Sequence, residues 1–358
     1  MNKTHINISI ITPLYHGEEY IDRLLRLIYY NYYSYNYNTQ GNVQYILVND
    51  SPDNKIDAAG HIRKLNHFIN ACDAKYSNGC YGRIQQSDDS NRKYIDCLNR
   101  LYKSTSTDVA EYGNSRGFSV LFINNECNCG IHSSRVNGIK HATGDYILFL
   151  DQDDAISKDA LIKLSGAVTD RDNPADMVIG NGVRRWTTDN SAGRSYRYKS
   201  LYKRKLALWA AKKEWIYIYG TDMIFSPGQC LVKKSAIPQY WMDNILKTNG
   251  CDDCYLWLLM LDNGCSIKTI NSVIYCHVES ENNYSNSYNA MNKSFMNMCE
   301  LLAADGSYSN NKTSVLRRRY KLKTDIKTTK STLKKFMHAL KNPDIIIATF
   351  FYKLCGYH

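Results

Sequence analysis

The feature that most constrains the fold of this chain is a series of short apolar runs that alternate with amphipathic segments. The first two runs, Ile6–Thr12 and Val43–Val48, are rich in β-branched residues, as strands are. Between them, Glu18–Tyr30 repeats its apolar residues at helical spacing. Strands that are apolar on both faces and joined through a helix are typical of a parallel sheet covered by helices on both sides. We therefore expect an α/β protein.

The alternation continues along the chain. Further strands are predicted at Ser119–Ile123, Asp145–Leu150, Met177–Ile179, Cys230–Lys233 and Ser266–Tyr275. Further helices are predicted at His61–Ala71, Tyr94–Tyr102, Ser133–Ala142, Lys158–Val168 and Asp253–Leu261.

Acidic residues follow the apolar runs. Asp50 comes directly after YILV, and Asp151, Asp153 and Asp154 come directly after YILFL. Ligands of open α/β sheets bind at the carboxyl ends of the strands. Three carboxylates within four residues repel one another, and Mg²⁺ or Mn²⁺ bound together with substrate phosphates would offset that repulsion. From the residues alone, a solvated acidic turn before the next helix is the competing interpretation.

Four motifs, taken in order, resemble the family 2 inverting glycosyltransferases of GT-A fold. ISIITPLYHGEEYI resembles the opening strand and turn of that family, and YILVNDSPDN its Asp-Asp-Gly-Ser turn. NECNCGIHSSRVNGIKHATGDYILFLDQDD resembles the stretch through the metal-binding DxD, and GCDDCYLWLLML the segment that holds the catalytic base. The resemblance covers roughly residues 6–290. It implies a Rossmann-like, mostly parallel sheet with helices on both faces.

The resemblance also implies roles for individual residues. The nucleotide-binding residues would be Pro13, Tyr15, Glu18, Asp50, Arg135 and Asp151. The metal, Mn²⁺ or Mg²⁺, would be held by Asp153, Asp154 and His277. The catalytic base would be Asp253 or Asp252, and which of the two stays open because Asp252 stands where the family has Glu.

Two further departures concern the nucleotide pocket. His16 stands where the family has Asn, and Asn49 replaces the first Asp of the base-binding turn. The implied activity is metal-dependent transfer of a sugar from a nucleotide sugar, expected to be a UDP-sugar, to a glycan or lipid-linked glycan in cell-surface polysaccharide synthesis. A sugar nucleotidyltransferase would share a metal–diphosphate site and is the closer alternative.

The formal net charge of +11 is distributed unevenly over the 358 residues. Residues 312–358 carry +10 and residues 184–213 carry +9, so the remainder is acidic at −8. Binding of a nucleic acid would explain the basic segments. The acidic strand ends, however, would repel the phosphate backbone of a nucleic acid. We therefore expect no nucleic acid partner.

The basic segment at 312–358 is expected to form a helical extension to a catalytic domain at 1–311, which holds an insertion at about 55–115. Within it, Ser331–Lys341 places apolar residues on one helical face and basic residues on the other. This pattern is typical of a helix lying on an anionic membrane surface. A helix packed on its own domain, a homo-oligomer contact and a solvated tail are the alternatives.

The expected location is cytoplasmic and peripheral, at the inner face of the cell membrane, because the N-terminus has no secretory signal pattern and no apolar run reaches about 18 residues. The segment 184–213 is expected to be either an acceptor-cleft wall that uses its aromatic residues or an amphipathic surface helix.

Overall fold

The structure is a computed structural model, and it describes residues 6–77, 103–104, 109–113, 117–170, 174–190, 193–279 and 287–356. The helix predicted at Tyr94–Tyr102 lies outside the described residues, as does much of the expected insertion.

The described chain contains eleven strands and eleven α-helices. The strands are β1 Ile8–Leu14, β2 Val43–Asn49, β3 Lys103–Ser104, β4 Val109–Gly113, β5 Phe118–Asn124, β6 Tyr146–Phe149, β7 Ala155–Ile156, β8 Met177–Asn190, β9 Gly193–Ser200, β10 Cys230–Lys233 and β11 Ile267–Val278. The helices are α1 Glu18–Thr39, α2 Ala58–Ser77, α3 Gly130–His141, α4 Ala160–Val168, α5 Lys205–Ala210, α6 Gln239–Asp243, α7 Asp252–Asp262, α8 Tyr288–Ala304, α9 Asn310–Thr328, α10 Thr332–Leu340 and α11 Pro343–Leu354.

The strands form one sheet in the order β3-β4-β5-β2-β1-β6-β10-β8-β11-β7, with β9 paired to β8. The centre of this sheet, β5-β2-β1-β6, is parallel throughout. The chain leaves β1 for β2 on one side, and β6 pairs with β1 on the other, so a topological switch point lies between β1 and β6. The predicted α/β class with a mostly parallel Rossmann-like core is confirmed.

Both faces of the central strands are buried, as their apolar character predicted. Along β1, Ile8 and Ile10 belong to one apolar core, and Ile11 belongs to the core on the opposite face. The alternation follows from the two-residue period of a strand. Helices α1, α2 and α4 contribute to the first core, and α3, α7, α8 and α9 contribute to the second.

Of the two alternatives for the segment 184–213, the structure contradicts the amphipathic surface helix, and the acceptor-cleft wall stays a prediction. Most of it forms a β-hairpin, in which the second half of β8 pairs antiparallel with β9, and only Lys205–Ala210 is α-helical. The aromatic and β-branched residues of this segment favour a strand over a helix, and the helical interpretation of the whole segment is therefore wrong.

The three C-terminal helices follow one another closely. Helix α9 buries Leu316 and Leu322 against the rest of the chain, and α11 buries Ile345 and Ala348. Helix α10 has no buried residue. Of the helices that the structure describes, none combines the length and the apolar character that crossing a membrane would require.

Candidate active site

The predicted site residues gather where the parallel strands end. The loop Asp151-Gln152-Asp153-Asp154 follows β6, and the turn that begins at Asp50 follows β2. The loop that follows β1 lies beside the β6 loop, because Gln152 exchanges two hydrogen bonds with the backbone of Tyr15, at 2.9 and 3.2 Å. The site thus occupies the switch point, where ligands of α/β sheets bind.

Arg135 connects two parts of this site that are distant in sequence. It lies on α3 and is almost fully buried. Its Nη2 donates to Asp151 at 2.6 Å, and its Nη1 donates to Asp252 at 2.5 Å. Both carboxylates raise the pKa of Arg135 and more than offset its burial, so the guanidinium stays charged. The β6 loop and the start of α7 are thereby held together by one cation.

Asp252 and Asp253 occupy the first turn of α7 but have different surroundings. Asp252 is buried and paired with Arg135. Asp253 forms no ion pair among the described residues, and its carboxylate accepts a hydrogen bond from the backbone N–H of Cys254 at 2.7 Å. Burial raises the pKa of Asp253 well above its ordinary value, and repulsion from Asp222 and Asp252 adds to the effect. Asp252 is thus committed to Arg135, whereas Asp253 has no cationic partner in an ion pair among the described residues.

A small crevice opens beside these two carboxylates. Arg135 and the two aspartates form its polar part. The rest of the wall is made by the side chains of Phe149, Pro227, Trp241, Leu256 and Trp257. The indole N–H of Trp241 donates to the backbone carbonyl of Asp252 at 2.9 Å, which orients the start of α7.

Asp154 ties the acidic loop to β11. Its carboxylate is buried and accepts hydrogen bonds from the Tyr275 hydroxyl and from the backbone N–H of Val278. His277 Nδ1 lies 3.1 Å from the same carboxylate. Burial disfavours protonation of His277, but the contact with Asp154 outweighs it and raises the pKa of His277. Two of the three predicted metal ligands are thus in contact with each other.

Asp153 is the carboxylate of this loop that remains without an ion pair among the described residues. Burial, followed by repulsion from Asp154 and Asp151, raises its pKa to about 6. Within the described ranges, no three acidic, histidine or cysteine side chains converge as a ready-made metal site. Asp153 offers one carboxylate without an ion pair among the described residues, and Mg²⁺ is commonly held by one or two protein carboxylates together with substrate phosphates.

Asp50 is buried at the end of β2, where it holds the start of α3. Its carboxylate oxygens accept from the backbone N–H groups of Cys129 and Gly130 and from the Asn125 side chain, each at 2.8 Å. Negative charge at this position is favourable because the first N–H groups of a helix have no partner within the helix. Asp50 thus positions the N-terminus of α3, and its contact with a base stays a prediction.

The other predicted nucleotide-binding residues lie along β1 and α1. Pro13 is buried within β1 opposite Val48, whereas the Tyr15 ring is 53% exposed. Glu18 begins α1, with Oε1 3.7 Å from the Nε2 of His61.

Two residues of the site were missed in the sequence. Arg23 on α1 donates to the backbone carbonyls of Asp154 at 2.9 Å and Gln152 at 2.7 Å. These two hydrogen bonds connect the acidic loop to α1. The sequence contained a signal for this role. Arg23 is three residues after Tyr20, so it lies beside the apolar face of the predicted helix, where a charged residue is unexpected. Asp222, whose charge adds to burial in raising the pKa of Asp253, comes two residues after the π-helical turn Ile216–Gly220, and no motif in the sequence pointed to it.

The comparisons with known proteins identify a family of enzymes. Residues 102–241 match the family model described as Glycosyl transferase family 2. The match includes β5, α3, β6 and the acidic loop, and it is shorter than the resemblance over residues 6–290. The chain is a glycosyltransferase. The family 2 match is confined to residues 102–241, and the motifs before residue 102 and the pair Asp252–Asp253 lie outside it.

Several solved structures are similar in fold. S. aureus TarS 1–349 is 13% identical, with a TM-score of 0.46 over 96% of this chain and 81% of that chain. The same protein in complex with UDP-GlcNAc is 12% identical, with a TM-score of 0.46 over 97% and 91%. The mannosyltransferase PcManGT from Pyrobaculum calidifontis, in complex with GDP-Man and Mn²⁺, is 11% identical, with a TM-score of 0.47 over 99% and 86%. No curated protein matches the chain.

Proposed function

We propose that this glycosyltransferase moves a sugar, with inversion, from a nucleotide sugar to a glycan or lipid-linked glycan in cell-surface polysaccharide synthesis. The observation that carries the proposal is the meeting of the acidic β6 loop with the pair Asp252–Asp253 around Arg135. A donor site and a proton acceptor are both needed for glycosyl transfer, and this arrangement supplies residues suited to each.

The donor side is proposed to bind a UDP-sugar. Pro13, Tyr15, Glu18, Asp50, Arg135 and Asp151 are the proposed nucleotide-binding residues. Arg135 and Arg23 hold the acidic loop through three of its residues, so the loop is rigid before the donor arrives. Such preorganisation lowers the entropic cost of binding.

A divalent cation, Mn²⁺ or Mg²⁺, is proposed as the cofactor. Asp153 would hold it, and Asp154 and His277 would support that position. When bound, such a cation neutralises negative charge on a leaving nucleoside diphosphate. The Mn²⁺ complex of PcManGT is a property of that protein and supports no residue assignment here.

Asp253 is proposed as the general base that takes the proton of the acceptor hydroxyl. A raised pKa makes the deprotonated carboxylate of Asp253 a stronger base, which favours general-base catalysis. Asp252 is committed to Arg135 and is proposed to position α7. A single displacement on a UDP-α-sugar then gives a β-linkage.

The proposed cellular place is the inner face of the cell membrane, where an anionic surface would receive the basic segments. A lipid-linked acceptor would be presented there. The proposal holds equally for a monomer and for a homo-oligomer of this chain.

The test is a thermal-shift screen with UDP- and GDP-sugars in the presence and absence of Mn²⁺. We expect one UDP-sugar to raise the melting temperature, with a larger shift when Mn²⁺ is present. Asp153→Asn should remove the Mn²⁺-dependent part, whereas Asp57→Asn, a substitution at an exposed carboxylate on the surface, should not. Stabilisation by GDP-sugars alone would contradict the UDP preference, and no response to any nucleotide sugar would contradict the donor site.

A further inference from the structure

The exposed apolar surface of the described chain is concentrated in one place. Of the fourteen large apolar side chains that are exposed there, seven lie on α10 and α11. They are Leu333, Phe336, Met337, Leu340, Ile347, Phe350 and Leu354. Soluble proteins seldom expose contiguous apolar patches of this kind unless the patch binds a partner or a membrane.

Helix α10 is oriented opposite to an ordinary surface helix. Its apolar residues face outward, with Leu333 72% and Phe336 58% exposed. Its inward side carries His338, whose Nδ1 lies 3.4 Å from the Asp325 carboxylate of α9. A helix that packed on its own domain would bury the apolar side, and so α10 is not stabilised by its apolar stripe in this structure.

Helix α11 is apolar on two sides. Its inner side, with Ile345 and Ala348, is buried against the π-helical turn Ile216–Gly220. Its outer side exposes Ile347 at 69% and Phe350 at 64%. A helix that is apolar all round is normally buried on all sides. The outer side of α11 is apolar but exposed to solvent in the described chain.

The two basic segments of the sequence meet beside this outer side. Arg204 Nη1 donates to the carbonyl of Leu354 at 2.9 Å, and the Lys203 N–H donates to the carbonyl of Gly356 at 3.2 Å. Trp209 and Trp215 place their rings 6.1 and 5.3 Å from the ring of Phe351. Both tryptophans are partly exposed, at 42% and 39%.

We propose that α10, the outer side of α11 and the adjoining residues 203–215, together the C-terminal apolar face, dock on an anionic lipid surface. Apolar residues would enter the boundary between headgroups and acyl chains, and the lysines and arginines would contact anionic headgroups. Tryptophans beside basic residues are enriched at such boundaries. The inference rests on the proposed membrane location and is independent of the transfer chemistry.

Charge favours a lipid surface over a second copy of the chain. Two copies meeting through this face would bring segments of +10 and +9 against their equivalents, and like charges repel. An anionic bilayer attracts both segments at once. The two helices have 9 and 12 residues, so they suit a position in the plane of the interface rather than across it.

The test is co-sedimentation of the full chain with vesicles of phosphatidylcholine alone or mixed with phosphatidylglycerol. We expect binding to the mixed vesicles and little to phosphatidylcholine alone. The double variant Phe336→Ser/Phe350→Ser should lower partitioning about tenfold or more, since each lost phenylalanine removes a large buried apolar area. The matched control Tyr37→Ser/Val273→Ser changes two exposed residues elsewhere and should bind as the wild type does.

Three results would overturn the inference. One is equal binding of the double variant and the wild type, and another is equal binding to both kinds of vesicle. The third is a dimer in size-exclusion chromatography that the double variant converts to a monomer, because a second copy would then occupy the face. Nucleotide-sugar binding without vesicles should be unchanged in the double variant, so failure of the donor site and failure of this face are distinguishable.

Discussion

At the scale of single residues, the different surroundings of Asp252 and Asp253 lead to a first prediction. Asp253→Asn should lower the transfer rate about 10²–10⁴-fold, because the general base is lost. Nucleotide binding should stay close to that of the wild type, since Asp253 is not among the proposed nucleotide-binding residues. The measurements are a transfer assay and calorimetric titration of the nucleotide.

The matched control for this variant is Asp243→Asn, because Asp243 is an exposed aspartate on the neighbouring helix α6. It should retain both activities. Equal loss of nucleotide binding and transfer in Asp253→Asn would contradict the role of Asp253 as base.

A second residue-scale prediction concerns Arg135. Arg135→Met leaves the carboxylates of Asp151 and Asp252 without their cation in a largely buried site. Removal of one partner from a buried ion pair typically costs about 3–5 kcal/mol of unfolding free energy. Urea denaturation should detect that loss, whereas Arg63→Met at an exposed position should change stability by less than about 0.5 kcal/mol. If Arg135→Met lowered the free energy of unfolding no more than Arg63→Met does, the two carboxylates would not require Arg135 as their counter-charge.

A third prediction follows from the burial of Asp222. Burial raises its pKa to about 6, against about 3.9 in an unfolded chain, although hydrogen bonds from Ile224 and Cys254 and the charge of Arg319 act in the opposite direction. Between these values the folded protein binds a proton that the unfolded chain releases. The stabilisation from this proton is complete below about pH 4 and is lost as pH rises through about 6.

Asp222→Asn should not lose this stabilisation. The unfolding free energy of the variant minus that of the wild type should therefore grow by up to about 3 kcal/mol between pH 4 and pH 7. Urea denaturation of both proteins across this pH range measures it. Buried acids that Asp222 does not influence titrate in both proteins and cancel. Asp253 loses the repulsion from Asp222 in the variant, and this loss changes the difference in the same direction. A difference that stays constant with pH would show that Asp222 is not held in the environment described.

At the scale of elements, the tail expected at 312–358 contains helices of two kinds. Helix α9 is joined to the body by buried side chains and by Lys312, which pairs with Glu214 and Asp262. Helix α10 has no buried residue. Both helices are basic, but α9 packs against the rest of the chain and α10 buries no residue.

Two leucines of this tail give a fourth prediction. Leu316→Ala on α9 should cost about 2–5 kcal/mol of unfolding free energy, because Leu316 is fully buried. Leu333→Ala on α10 should change stability by less than about 0.5 kcal/mol, because its side chain is 72% exposed. Urea denaturation of the pair measures the difference. Equal losses would contradict the outward orientation of α10.

At the scale of the whole molecule, the meeting of the two basic segments leads to a fifth prediction. Lys203→Gln, in the first segment, and Lys341→Gln, in the second, should each weaken binding to anionic vesicles by about fivefold. Both effects should shrink as salt is raised. The control is Lys140→Gln on α3, at an exposed lysine outside both segments. If Lys203→Gln matched the control, the two segments would not form one face.

Local chemistry made the central sheet and part of the candidate site predictable. The runs that became β1, β2, β5 and β6 are too apolar for any place but a sheet buried on both sides. Because these strands run parallel, Asp50 after β2 and Asp151 after β6 lie at the same edge of the sheet, on either side of β1. The length of α1 was underestimated, because its second half, after Tyr30, contains polar residues between the buried Tyr32 and Tyr35.

The sequence by itself therefore determined the α/β class, the acidic loop after β6 and the excess of charge in two segments, because each of these depends on residues close together in the chain. Tertiary structure decided that Arg135 pairs with both Asp151 and Asp252, a residue 117 positions away. It also decided that Asp154 contacts β11, and that residues near 204 meet the end of α11. The physical reason is that ion pairs and exposed faces depend on which elements pack together, and periodicity within a segment carries no information about its distant partners.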